Sequence, residues 1–256
     1  MREEESAENP APSGIAEPLG ITEPDPQLPW GVRHVIYGLL FGQLFTPVLA
    51  AIAILALDSS IDLDNPSLYL TAILTFALWV GTLAIPMWFH FIKGVSWKDF
   101  GWGFQKNDIF FGLLIGLGTQ IAVNLFYRPL ILFLELFFDD IDVSEPARDL
   151  ADTATGFFGV FLLLVLVVVG APLVEELFFR GFILKVFEKK MSSRLALVLS
   201  SLIFALVHWQ LLQFPALFLF GLVAAYLARK YDRIGRAVWA HVGFNAGPVI
   251  ALLLQS

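Results

Sequence analysis

Long apolar stretches separated by short polar connections make up most of this chain. Crossing the hydrocarbon core of a bilayer takes about 20 residues in a helix, and seven stretches approach that length, the sixth being the shortest. The pattern predicts an all-α, polytopic membrane protein with seven or eight transmembrane helices, because an open strand in lipid would leave its backbone groups unpaired. The stretches are Val35–Leu57, Leu68–Ile92, Ile109–Tyr127, Gly156–Val174, Leu195–Leu212, Phe214–Ala228 and Ala237–Leu254.

The third stretch contains two further signals. Gly112 and Gly116 have the Gly-x-x-x-Gly spacing that is typical of a close helix–helix packing face. Arg128 and Pro129 are expected to end or kink this helix, because proline cannot donate the backbone hydrogen bond that a continuing helix needs.

Composition divides the chain into a tail and a membrane domain. Residues 1–32 are acidic and rich in proline, which predicts a disordered tail, whereas residues 33–256 hold the apolar stretches. The chain is 57% hydrophobic and has a net charge of −7, so membrane lipids are the expected surroundings and nothing in the sequence favours nucleic acid. It has no cysteine, which excludes disulfides and thiol nucleophiles.

The basic residues predict an orientation in the membrane. Most lysines and arginines lie in three alternate connections, 93–108, 185–194 and 229–236. Because positive charge is retained on the cytoplasmic side, we expect these connections and the amino terminus in the cytoplasm and the carboxyl terminus outside.

A small set of polar side chains lies at the end of the fourth apolar stretch and within the fifth and the seventh. Such groups are costly at membrane depth and usually face a bundle interior, where they mark function. Glu176 and Arg180 have the i,i+4 spacing of an ion pair, which leaves the neighbouring Glu175 available as a general base. His241 and Asn245 share the same spacing. The complete set is Glu175, Glu176, Arg180, His208, His241 and Asn245.

Each of these side chains alone is as readily explained by hydrogen bonding between helices. Their combination on three apolar segments indicates chemistry.

Three ordered motifs carry a family resemblance. Glu175-Glu176-Leu-Phe-Phe-Arg180, Phe204-Ala-Leu-Val-His208 and His241-Val-Gly-Phe-Asn245 resemble the EExxxR, FxxxH and HxxxN motifs of the CPBP family, which comprises CAAX proteases and Abi-type intramembrane proteases. The resemblance covers residues 156–254. It implies an intramembrane endopeptidase in which Glu175 deprotonates a water, His208 holds that water, and His241 and Asn245 stabilise the oxyanion. Glu176 and Arg180 would maintain the helix geometry.

The cofactor and the substrate are open at this point. A mechanism without a cofactor is favoured, since asparagine is a poor zinc ligand and no His-Glu-x-x-His occurs; zinc held by Glu175, His208 and His241 is the alternative. The resemblance implies a membrane-bound peptide or a prenylated CAAX-type protein as substrate. A non-catalytic bacteriocin-immunity or scaffold protein that retains the motifs is the alternative function, followed by a small proton-coupled transporter.

Overall fold

The computed structural model describes residues 28–63, 65–137 and 141–254. Over these ranges the chain is helical and contains no strand, which confirms the predicted all-α, polytopic class. Eight helices, α1 to α8, follow one another there: Val32–Leu57, Leu68–Lys93, Lys106–Leu134, Glu145–Asp152, Gly156–Glu188, Ser193–Leu206, Phe214–Tyr231 and Gly235–Leu253.

Five of the described helices, α1, α2, α3, α5 and α7, are long and apolar enough to cross a membrane, so the chain is an integral membrane protein. Helix α7, formed by the shortest of the predicted apolar stretches, is one of the five. Helix α6 is shorter, with 14 residues, and α8, with 19 residues, is not among the five.

Three predicted helix boundaries differ from the observed ones. The third helix was expected to end or kink at Arg128 and Pro129, with residues 130–138 continuing as a bent piece; helix α3 does not end there and continues past Pro129 to Leu134. Helix α5 runs on to Glu188, because the charges that follow Val174 lie inside the bundle and need not reach a membrane surface. Helix α6 ends at Leu206, so His208 lies just beyond it. The helix cannot continue through Trp209, because this residue has a φ of 56°, which does not occur in a right-handed helix.

The predicted glycine face holds α3 against α8. A Cβ atom on Gly116 would lie 1.9 Å from the carbonyl oxygen of Ala240, and one on Gly112 would lie 2.4 Å from Cβ of Trp239. Since Gly243 of α8 approaches Leu113 of α3 in the same way, the two backbones pack closely and leave little freedom for one helix to slide along the other.

A buried acid joins the first turns of the same two helices. Asp108 is fully buried and accepts hydrogen bonds from Arg233 Nε at 2.9 Å, Arg233 Nη2 at 2.9 Å, Arg236 Nε at 3.1 Å and the backbone N–H of Gln105 at 2.9 Å. The backbone carbonyls of Gly101 and Gly103 also accept hydrogen bonds, from the backbone N–H groups of Ile234 and Gly235 respectively. Helix α8 is therefore anchored at its start as well as along its length.

Helix α5 changes character along its length. Its first half exposes phenylalanines such as Phe157 and Phe158, as expected for a surface in contact with lipid. All eight residues of its later segment Leu177–Leu184 are buried. The helix thus enters the centre of the bundle near the two adjacent glutamates.

The predicted tail, residues 1–32, falls mainly on residues 1–27, which lie outside the described residues. At its described end the chain packs on the bundle: Trp30 is buried and its ring lies 4.7 Å from that of Phe100, and Lys189 Nζ donates to the carbonyl of Leu28 at 2.6 Å.

Candidate active site

Helix α5 departs from regular α-helical geometry on both sides of the glutamates. The α-helical turn Ala171–Glu176 lies between two π-helical segments, Leu164–Gly170 and Leu177–Leu184. Segments of π-helix are rare and often occur at functional sites, since they redirect side chains and free backbone carbonyls. Here they set the direction in which Glu175 and Glu176 leave the helix.

Glu176 and Arg180 form an ion pair in the centre of the bundle. Arg180 Nη1 donates to Glu176 Oε1 at 2.8 Å, and both side chains are fully buried. Arg180 Nη2 also donates to the backbone carbonyl of Gly221 in α7 at 3.1 Å, and its guanidinium carbon lies 4.4 Å from the centre of the Phe204 ring. The pair follows the i,i+4 spacing, and the arginine connects three helices.

His241 is oriented by the same glutamate. Its Nδ1 lies 2.8 Å from Glu176 Oε1. A carboxylate only accepts hydrogen bonds, so Nδ1 carries the proton and the other ring nitrogen, Nε2, faces away from Glu176. That Nε2 lies 3.8 Å from Glu175 Oε2. Glu176 thus selects the tautomer of His241 and directs its second nitrogen toward Glu175.

His208 is held in the same manner by a backbone carbonyl. Its Nδ1 lies 2.7 Å from the carbonyl oxygen of Phe204, so Nδ1 donates here as well. Its Nε2 lies 3.8 Å from the same oxygen, Oε2 of Glu175. Two imidazoles from α8 and from the residues after α6 therefore converge on one carboxylate oxygen of α5.

The carboxylate oxygen at this meeting point lacks a direct hydrogen-bond partner within the described part of the chain, as do Glu176 Oε2 and Arg180 Nε of the same site. Glu175 Oε2 is buried and accepts no hydrogen bond from any residue that the structure describes. A distance of 3.8 Å is too long for a direct hydrogen bond, and it is the kind of separation that one bridging water spans. The side chains of Glu175 and His208 are 20% and 25% exposed, against 4% for His241, so the site is reached from the Glu175–His208 side.

Asn245 contacts the site through the backbone rather than through the carboxylates. It lies one turn after His241 on α8, and its Nδ2 donates to the carbonyl of Val167 in α5 at 2.8 Å. Of the six residues predicted from the motifs, five are joined by direct side-chain contacts. Asn245 is joined to them through α5 and α8.

Glu175, His208 and His241 are also the side chains that could supply ligands to zinc. Among the described residues, no group of three or more His, Cys, Asp or Glu side chains is arranged to hold a metal ion. Zinc held by Glu175, His208 and His241 stays the alternative to the mechanism without a cofactor.

Two contributors to the site have no sequence motif of their own. Gly221 supplies the carbonyl that accepts from Arg180, and Phe220 places its ring 4.6 Å from that of His241. In the sequence, the glycine at position 221 is the signal for a close helix contact. In the structure, a Cβ on Gly221 would lie 3.0 Å from Ser201 Cβ, so α6 and α7 approach closely there.

Comparison with known proteins agrees with the motifs. Residues 157–247 match the family model described as Rce1-like, type II CAAX prenyl endopeptidase. No curated protein and no solved structure matches the chain. The matched range contains all three motifs, so the resemblance to the CPBP group is confirmed. The region of residues 157–247 is therefore similar to the Rce1-like type II CAAX prenyl endopeptidase family, which is a family of proteases.

Proposed function

We propose that this protein is an intramembrane endopeptidase that cleaves a prenylated, CAAX-type substrate by means of a water activated by Glu175. The observation that carries the proposal is the buried Oε2 of Glu175, which accepts no hydrogen bond from the described residues and lies 3.8 Å from Nε2 of both His208 and His241. The name of the matched family supports the substrate class.

In the first step a water is held between Glu175 Oε2 and the imidazole of His208. Glu175 removes one proton from this water as its oxygen attacks the scissile carbonyl carbon. A new carbon–oxygen bond forms, and the carbonyl oxygen becomes an oxyanion. General-base assistance of this kind contributes about 10²–10⁴-fold to a rate.

The oxyanion is then stabilised by His241 and Asn245. This role requires His241 to carry a proton on Nε2 as well as on Nδ1 before the attack, because Glu175 holds the proton taken from the water. Nε2–H then donates to the oxyanion, while Nδ1–H remains bonded to Glu176, which supplies the counter-charge. Asn245 uses one of its two Nδ2 hydrogens for Val167, which leaves the second for the oxyanion. Donors that are already oriented in a site sheltered from water supply the largest single contribution in many enzymes.

In the last step the carbon–nitrogen bond breaks. Glu175 returns the proton it took from water to the departing amine nitrogen, so the carboxylate is regenerated. Glu176 and Arg180 do not touch the substrate. Glu176 keeps the His241 ring oriented through its Nδ1–H, and Arg180 connects α5 to α7.

The test uses purified protein in proteoliposomes with a panel of prenylated and unprenylated peptides that end in CAAX sequences. We expect the wild type to cleave prenylated peptides, and Glu175→Gln to lose about 10²-fold or more of that activity, as expected for loss of a general base. Glu135→Gln is the matched control, because Glu135 lies at the end of α3, outside the network described above.

Two results would contradict the proposed mechanism, and a third would contradict the proposed substrate class. Full activity of Glu175→Gln would remove the proposed base. Loss of wild-type activity on treatment with a chelator, restored by added zinc, would assign Glu175, His208 and His241 to a metal instead of a water. Cleavage of unprenylated peptides at an equal rate would overturn the proposed substrate class alone.

A further inference from the structure

Pro172 leaves a gap in the backbone hydrogen bonds of α5, five residues after Val167. A π-helix is formed by bonds from an N–H to the carbonyl five residues earlier, and the N–H of Ala171, at the end of the π-helical segment Leu164–Gly170, donates in this way to Leu166. The next bond in this series would run from residue 172 to the carbonyl of Val167. Proline has no N–H, so that carbonyl loses its expected partner.

Asn245 of α8 supplies the missing donor. Its Nδ2 lies 2.8 Å from the carbonyl oxygen of Val167. A buried carbonyl without a partner is costly in a medium that lacks water, so this bond satisfies a group that the proline leaves free. The carbonyl can only accept, which requires the nitrogen of the amide, not its oxygen, to face α5. We propose that Pro172 is a positioning residue, which orients the Asn245 amide by exposing the carbonyl of Val167.

This inference rests on the proposed function. It adds an explanation of what orients Asn245, one of the two oxyanion donors. Pro172 lies only three residues before Glu175, in the α-helical turn Ala171–Glu176. A single hydrogen bond therefore ties the segment of α5 directly before the turn that carries the base to the asparagine that stabilises the oxyanion. The base and the donor keep their relative position even though they lie on different helices.

A purely structural role for the same bond makes a different prediction. If Asn245 only joined two helices, restoring an N–H at position 172 would return the normal backbone bond and remove a proline from the helix. Activity would then be unchanged. In our interpretation the restored N–H takes the carbonyl of Val167, and Asn245 is left without its orienting partner.

The experiment measures kcat, KM and thermal unfolding of Pro172→Ala in proteoliposomes, with a prenylated CAAX peptide as substrate. We expect kcat to fall about tenfold. This is a smaller loss than the decrease in kcat of about 10²–10³-fold that follows removal of an oxyanion donor. KM should stay within about twofold, because a change made only in the transition state leaves substrate binding unaltered. Tm should not decrease.

Four further variants make the outcome specific. Pro129→Ala, at an exposed proline inside α3, controls for loss of a helical proline and should keep full activity. Pro172→Val also restores the N–H and is closer to proline in volume, so it replaces Pro172→Ala if that variant fails to fold. In an Asn245→Ala background, changing Pro172 should have no further effect on kcat, because its influence passes through the amide.

Unchanged kcat in Pro172→Ala, beside an impaired Asn245→Ala, would overturn the inference. An equal fall in both backgrounds would overturn it as well. The hydrogen bond has a readout that does not depend on catalysis: exchange of the Asn245 side-chain amide protons with solvent, followed by NMR. Exchange should be faster in Pro172→Ala than in the wild type. If Glu175→Gln stays active, the proposed function fails, and the amide exchange still decides whether Pro172 orients Asn245.

Discussion

Replacing Asp108 by asparagine tests how strongly the buried acid anchors α8. The substitution keeps the shape of the side chain but removes the negative charge that pairs with Arg233 and Arg236. It also turns one acceptor oxygen into a nitrogen that faces the guanidinium groups. Two cations then lie next to a neutral side chain at a position that is fully buried.

The expected cost follows from the exposure of the partners. Removing one member of a buried ion pair destabilises a protein by about 3–5 kcal/mol, because the remaining charge is left uncompensated. The side chains of Arg233 and Arg236 are 17% and 11% exposed, so they keep some contact with the surroundings. We therefore expect the lower end, about 3 kcal/mol, which corresponds to a fall in Tm of roughly 6–12 °C for a protein of this size.

Thermal unfolding of the purified protein in detergent, followed by tryptophan fluorescence, measures this shift. Asp149→Asn is the matched control: Asp149 is an exposed acid in α4, and its loss should change stability by no more than about 0.5 kcal/mol. The double variant Asp108→Asn/Arg233→Gln should lose less stability than the sum of the two single variants. Asp108→Asn leaves the Arg233 charge unpaired, and Arg233→Gln removes that charge. A Tm for Asp108→Asn within about 2 °C of the wild type would refute the reasoning.

Three further predictions concern packing and the site. Gly116→Ala places a methyl group against the backbone of α8 and should lower stability by about 1–3 kcal/mol in thermal unfolding, whereas Gly118→Ala, where no atom lies within 4 Å, should not. Tyr127→Phe removes a hydroxyl that bonds to the turn after α6 and to the first turn of α7. Tm should fall by an amount equivalent to about 1–3 kcal/mol; an unchanged Tm would show that the turn does not depend on this hydroxyl. Glu176→Gln leaves a buried guanidinium unpaired and should destabilise by about 3–5 kcal/mol, whereas Glu175→Gln should be inactive yet close to the wild type in Tm; equal Tm values would contradict the different roles given to the two glutamates.

The features that depend only on spacing between nearby residues could be predicted from the sequence. The apolar stretches indicated where helices form, because crossing a bilayer sets their length and composition. The spacing of Gly112 and Gly116 indicated a packing face, and that of Glu176 and Arg180 indicated an ion pair, because residues four apart lie on one side of a helix. The boundaries were less predictable: the continuation of α3 past Pro129 and the end of α6 before His208 depend on neighbouring segments.

The combination of the motifs into one site was decided by the tertiary structure. The contact of His241 with Glu176 joins residues 65 positions apart, that of Asn245 with Val167 spans 78, and that of Arg233 with Asp108 spans 125. Each contact requires two helices to have a defined axial shift and rotation relative to each other. The sequence by itself determined which side chains share a face of one helix, because the helical repeat is local. Only the packing of helix backbones at glycines and the buried ion pairs determined which faces meet, because those interactions act between segments that are distant along the chain.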